Sequence, residues 1–132
     1  MKVTADTNVL VRAITGDHPR QSAIAQAALE QADKVAVPLP ALCELVWVLG
    51  QGYKIGAGDI CDAIRRLINV GNVSVNRLAV EAGLAILDAG GDFADGVIAF
   101  EGNWLGGEAF ISFDRKAVEL LEGHGSSARL LA

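Results

Sequence analysis

The sequence predicts an α/β domain, a three-layer α/β/α sandwich with a mostly parallel central sheet. Three observations lead there. Short apolar segments alternate with longer amphipathic or alanine-rich ones along the chain, the pattern of a parallel sheet covered by helices on both faces. Apolar residues make up 52% of the composition and charged residues 20%, which excludes a disordered acidic chain and supplies a core. No linker, repeat or low-complexity segment breaks the alternation, so residues 1–132 read as a single domain of ordinary size.

Each element has a local signature. Lys2-Val3-Thr4-Ala5 is a short first strand, and Thr7 to Ile14 a short helix. Asp17 is expected to cap the alanine-rich helix Arg20 to Ala32, with Pro19 in its first turn. Val35-Ala36-Val37 is the second strand. Pro40 then opens a strongly apolar helix, Ala41 to Leu49, stopped by Gly50 and Gly52. Gly58-Asp59 begin a helix reaching Ile68, with Ile60, Ile64, Leu67 and Ile68 at helical spacing. Val73-Ser74-Val75 is the third strand, and the helix Arg77 to Leu87 ends at Gly90-Gly91. A helix from Asp92 to Trp104 closes at Gly106-Gly107. The strand Ala109 to Ser112, the short helix Arg115 to Leu121 and the strand Ala128 to Leu131 complete the alternation.

Charge and cysteine usage narrow the function classes. Cys43 and Cys61 form no CxxC or Cys/His pattern, so neither a zinc ribbon nor a disulfide framework is expected, and a reducing cytosol fits. The apolar stretch at the N-terminus is too short for a signal peptide. No uncharged apolar run reaches the roughly 20 residues of a membrane span. The longest, Val35 to Leu42, is broken by Pro38 and Pro40. A soluble cytoplasmic protein with no membrane partner is the expectation. The net charge of −5, from 16 acids and 11 bases, argues against a broad positive surface for nucleic acid.

The positions of the acids partly reverse that argument. Asp6 follows the first strand and Asp114 follows Phe110-Ile111-Ser112-Phe113, and open parallel sheets place ligands just beyond such strand ends. Each also fits a helix N-cap, and one carboxylate can serve both roles. Asp92 and Asp95 stand three residues apart at a helix start, where a cap and a dipole-favoured acid are equally natural. Glu44 is different. Its neighbours one helical turn away, Pro40, Ala41, Trp47 and Val48, are all apolar, and no Lys or Arg is close in sequence. A buried unpaired carboxylate costs several kcal/mol or stays protonated. A buried Glu44 compensated by a cation is therefore expected, against the alternative of an exposed or distantly paired side chain. Setting these five of the 16 acids aside leaves as many acids as bases, 11 of each.

A cluster of carboxylates alone selects hard cations, Mg²⁺ or Mn²⁺ rather than zinc. His18 and His124 lie in polar turns and are expected to face solvent. Because Mg²⁺ prefers one or two carboxylates plus water and substrate phosphate, such a cluster points to phosphate chemistry.

Four segments in this order resemble the PIN-domain nucleases: Asp6-Thr7-Asn8-Val9-Leu10, Glu44 in its apolar helix, Asp92-Phe93-Ala94-Asp95-Gly96-Val97-Ile98-Ala99, and Ser112-Phe113-Asp114-Arg115. Length and order are similar to the VapC toxins of bacterial toxin–antitoxin pairs, and the resemblance covers nearly the whole chain. It implies a PIN-like fold and an acidic catalytic and metal site at Asp6, Glu44, Asp95 and Asp114. Asp92 matches an additional acid of some members, as ligand or as cap. Thr7, Asn8 and Ser112 match small polar residues that support the site. The resemblance further implies one or two Mg²⁺ or Mn²⁺ ions and hydrolysis of RNA to 5′-phosphate and 3′-hydroxyl ends. It also implies a homodimer and a cognate VapB-type antitoxin. Gly96 replaces the alanine or leucine of many relatives and is expected to loosen a helix turn slightly.

Arg12, Arg115 and Lys116 are candidate phosphate contacts, with Arg65 and Arg66 as an extension of the track; solvated surface charges are the alternative for each. Trp47 and Trp104 read as core or interface residues rather than stacking platforms. Two other functions compete. One is a non-catalytic binding module that keeps the acidic pocket. The other is a receiver-like phosphoacceptor, for which the Ala5-Asp6-Thr7 turn lacks a second acid and Val75-Asn76 lacks the acceptor. A DxD-type phosphatase is disfavoured because Asn8 stands in place of its second Asp.

Overall fold

Short parallel strands alternate with helices throughout the computed structural model, which describes residues 1–132. The α/β class read from the sequence is the class observed. The chain divides into two compact units, Met1–Asn76 and Arg77–Ala132.

The first unit runs β1 (Lys2–Thr4), α1 (Thr7–Thr15), α2 (Pro19–Gln31), β2 (Lys34–Ala36), α3 (Leu39–Trp47), α4 (Ala57–Ile68) and β3 (Val73–Ser74). Its sheet is parallel in the order β1-β2-β3, with Lys2 opposite Lys34, Thr4 opposite Ala36 and Val35 opposite Val73. Backbone bonds from Ala5 N–H to the Ala36 carbonyl (3.0 Å) and from Val37 N–H to the Ser74 carbonyl (3.0 Å) extend the ladder past the strand ends. The chain therefore leaves β1 and β2 from one level edge, and α1 and α3 begin there. Leu10, Val35, Leu42, Leu45, Leu49 and Ile64 are fully buried and form the centre of this unit.

Helix ends follow the sequence with two corrections. Gly16, at φ +65°, closes α1 in the left-handed conformation, and its N–H reaches the Arg12 carbonyl at 3.2 Å. His18, not Asp17, caps α2: its Nδ1 accepts from the Gln21 N–H at 3.1 Å. The Asp17 carboxylate instead accepts from Tyr53 Oη (2.6 Å), Thr15 Oγ1 (2.8 Å) and Arg12 Nη1 (3.3 Å). The second correction concerns Gly50 and Gly52, which do not stop the helix begun by α3. They lie in a π-helical turn, Val48–Gly52, closed by the bond from Tyr53 N–H to the Val48 carbonyl at 3.2 Å. The glycines let the helix widen before it ends.

The second unit runs α5 (Arg77–Asp88), α6 (Phe93–Trp104), β4 (Phe110–Ser112), α7 (Arg115–Gly123) and β5 (Ala128–Leu130). β4 and β5 pair in parallel, Phe110 opposite Ala128 and Ser112 opposite Leu130, with α7 as the crossover. α5 packs closely on α6 around the fully buried Phe93, Val80, Leu84 and Ile86. Gly96 makes that approach possible. A Cβ there would lie 2.3 Å from the Ala82 carbonyl oxygen, and one on Gly83 would lie 2.6 Å from the Phe93 ring. The expected loosening at Gly96 is thus replaced by its opposite, a tight helix crossing that admits no side chain. No helix is long and apolar enough to cross a membrane.

Candidate active site

In the first unit, Asp6 stands two residues past β1 and caps α1, its Oδ1 accepting from the Thr7 N–H at 2.8 Å. The β1–β2 ladder just before it fixes where the carboxylate emerges, and its side chain is exposed. Asn8 is exposed as well. Thr7 is 8% exposed, and its Oγ1 is buried with no hydrogen-bond partner. Such an orphaned hydroxyl is costly and sits directly beside the proposed ligand.

Glu44 overturns the expectation of burial. α3 buries Ala41, Leu42, Leu45 and Val46 and leaves Pro40, Glu44 and Trp47 exposed. Apolar neighbours one turn away do not bury a residue when two of them, Pro40 and Trp47, share its open face. No hydrogen bond or ion pair holds the carboxylate. No desolvation penalty remains to be offset there, and Glu44 stands as a candidate ligand only through its place in the motif. Trp47 is 66% exposed and Trp104 74%, so of the two places expected for them, core or interface, the core is excluded.

The second unit brings three of the acids to one cavity of about 230 Å³ lined by Gly90, Gly91, Asp92, Asp95, Asp114, Lys116 and Ala117. Asp92 caps α6 by accepting from the Ala94 N–H (3.1 Å), and Asp114 caps α7 by accepting from the Ala117 N–H (3.1 Å). Ser112 Oγ accepts from the Asp114 N–H at 2.9 Å and steadies that turn. Capping and cavity lining therefore coexist, with Oδ1 of each aspartate engaged. Asp95 is half-buried in the first turn of α6. Burial raises its pKa above the ordinary carboxylate value, and the Asp92 and Asp114 charges raise it further. The sequence signal for this cavity includes the Gly90-Gly91 pair, whose role beyond ending α5 was not legible. Gly90 takes φ +96°, a conformation that favours glycine, and a Cβ on Gly91 would crowd the Leu120 and Ile86 side chains, at 2.5 Å from Leu120 Cδ1.

The basic candidates divide. Arg115 and Lys116 are exposed, without ion-pair partners, at the start of α7 beside Asp114. Arg12 is engaged by Gln21 Oε1 (2.8 Å), Tyr53 Oη (3.2 Å) and Asp17. Arg65 and Arg66 are exposed on α4, and Arg66 Nε donates to the Asp62 carbonyl at 3.4 Å. His18 and His124 are exposed, as expected.

Residues 3–120 match the family model of the PIN domain. The chain belongs to the PIN-domain family. PIN domains are typically nucleases that use divalent metal ions, and they bind RNA and often act in toxin–antitoxin pairs. No curated protein matches this PIN domain. Three carboxylates line its cavity, the oxygen donors that a hard divalent cation prefers. The donors in the cavity are all carboxylate oxygens, and the raised proton affinity of Asp95 marks a concentration of negative charge that a cation relieves. Within each unit no group of three or more His, Cys, Asp or Glu side chains is arranged to hold a metal ion.

Proposed function

We propose that this PIN domain is an Mg²⁺- or Mn²⁺-dependent endoribonuclease of the VapC type. In this reading it is a cytoplasmic toxin that acts as a homodimer and is inhibited by a cognate VapB-type antitoxin. The observation that carries the reading is the acidic cavity at the start of α6 and α7, where Asp95 is desolvated and faces the charges of Asp92 and Asp114. The family match supports the rest, because it runs through the segments holding Asp6 and Glu44 as well as those holding Asp95 and Asp114. On that ground the four act as one set of metal-binding carboxylates, with Asp92 as an additional ligand that also caps its helix.

The protein's own residues have separable tasks. Asp6, Asp92 and Asp114 are held by backbone N–H donors at the first turns of their helices, which fixes their carboxylates before any ligand arrives. Asp95 provides the strongest local pull on a cation, since its charge is the least solvated. A bound divalent ion supplies an acidified water and offsets charge developing on the phosphoryl oxygens. Arg115 and Lys116 attract the RNA backbone to an otherwise negative region, and Ser112 keeps the Asp114 turn in place. Thr7 and Asn8 support Asp6.

The test is cleavage of an RNA oligonucleotide with Mg²⁺ or Mn²⁺ and with EDTA, for the wild type and for Asp6→Asn, Glu44→Gln, Asp95→Asn and Asp114→Asn. The expected result is metal-dependent cleavage leaving 5′-phosphate ends, absent in EDTA and reduced at least a hundredfold in each variant, about 2.7 kcal/mol of transition-state stabilisation. Cleavage that survives EDTA, or survives Asp95→Asn, overturns the proposal.

A further inference from the structure

We propose that the open face of the β4–β5 sheet is a nucleobase site, in which Phe113 and Arg129 receive the RNA base that flanks the cleaved phosphate. The inference rests on the endoribonuclease reading and deepens it. It is carried by the register of the two strands and by what covers them.

Parallel strands are ordinarily covered by helices on both faces. Here α7 packs on β4 and β5 and buries Ala117, Val118 and Leu121, which covers one face. The other is open: Ile111 is 54% exposed and Phe113 77%. They stand two residues apart, the spacing that puts side chains on one face of a strand. Ile111 is paired with Arg129, about 4.8 Å across the sheet. Arg129 is exposed, and its guanidinium makes no hydrogen bond or ion pair.

The chain itself places this face beside the acidic cavity. Asp114, which lines the cavity, directly follows Phe113, so their Cα atoms are about 3.8 Å apart. The bond from Asp114 N–H to Ser112 Oγ (2.9 Å) brackets Phe113 and holds the turn that presents its ring. A further bond, from Leu131 N–H to the Ser112 carbonyl (2.8 Å), fixes the neighbouring strand at the same level.

Charge selects the occupant. The face carries no acid, since Ala109 and Ser127, two residues before Ile111 and Arg129, are uncharged. A second copy of the chain docked two-fold on it would bring cationic faces together with nothing to pair them. A polyanion with planar bases meets both features. A phenyl ring stacks on any base, because every base has a π-face, and a guanidinium plane does the same while favouring negative charge nearby.

The experiment measures RNA binding apart from cleavage, in the Asp95→Asn protein and in the same protein with Phe113→Ala, Phe113→Tyr or Arg129→Ala added. The probes are one single-stranded oligonucleotide and a series of it in which each nucleotide in turn is abasic. Phe113→Ala should raise Kd about tenfold, Phe113→Tyr should restore most of it, and Arg129→Ala should raise Kd as well. An abasic nucleotide next to the cleaved bond should weaken binding to the Asp95→Asn protein about tenfold and to its Phe113→Ala form no further. Thermal melts and sedimentation should coincide for all four proteins. Equal affinities with and without Phe113→Ala, or losses that multiply at every abasic position, overturn the base site while a cleaving wild type keeps the nuclease reading. A change of oligomeric state in Phe113→Ala also overturns it and assigns the face to a protein contact. A wild type inactive with both metals overturns both readings.

Discussion

Asp95 shows how one side chain reports its surroundings. Half-buried in the first turn of α6 and facing two other acids, it holds its proton more tightly in the folded chain than in the unfolded one. A carboxyl group with a raised folded-state pKa favours folding while protonated. That contribution is complete below the ordinary carboxylate range and is lost as pH rises through the raised value. Metal-free wild type should therefore lose stability relative to Asp95→Asn as pH rises above the ordinary carboxylate value of about 4. Thermal melts of the two proteins across that rise check this, and added Mg²⁺ should stabilise the wild type more than the variant. A difference that stays constant with pH would show that Asp95 is not strained by its neighbours. Asp6 separates capping from chemistry in a second way. Asparagine caps a helix about as well as aspartate, so Asp6→Asn should fold with stability within about 0.5 kcal/mol of the wild type while losing cleavage. Asp6→Ala should lose cleavage and about 1 kcal/mol besides, read by urea unfolding. A loss of stability in Asp6→Asn as large as in Asp6→Ala would assign the residue to the cap alone.

At the scale of elements, α6 carries two glycines with opposite consequences. Gly96 faces the Ala82 carbonyl at a distance that no Cβ tolerates, so Gly96→Ala should destabilise the chain by about 1–3 kcal/mol and displace Asp95 beside it. Gly102 has open space around it, and Gly102→Ala should stabilise by about 0.5–1 kcal/mol through helix propensity. Urea unfolding of both variants tests the pair; equal shifts of one sign would contradict the packing described for α5 and α6. Nothing in the sequence distinguishes these glycines, because the partner of Gly96 lies on another helix. The elements themselves were legible. Each strand is a two- or three-residue segment with at least one apolar residue, set among helical stretches, and Asp6, Asp92 and Asp114 mark helix starts by residue type. The errors have one physical source, choices made by tertiary contacts. Asp17 is diverted from capping by Tyr53, 36 residues away, and the face of α3 that holds Glu44 is open although its residue types look buried. Apolar residues on the surface are ordinary, so apolar neighbours in sequence do not measure burial.

For the molecule as a whole, net charge and family set the terms. Acids outnumber bases, yet the family to which the chain belongs acts on nucleic acid. RNA attraction then comes from few cations, and the affinity of the inactive Asp95→Asn protein for a single-stranded oligonucleotide should fall only gently with salt. With Arg115 and Lys116 as the phosphate contacts, a slope of about −1.4 in log K against log salt is expected, and a slope steeper than about −4 would require a basic track that the sequence does not supply. The central claim is narrower than any of these, that the carboxylates at the starts of α6 and α7 bind a hard divalent cation. Calorimetric titration of Mn²⁺ into the wild type and Asp95→Asn proteins tests it without RNA. The account predicts saturable binding to the wild type, weakened at least tenfold in Asp95→Asn. Indistinguishable titrations of the two proteins, or no binding to the wild type, would contradict it.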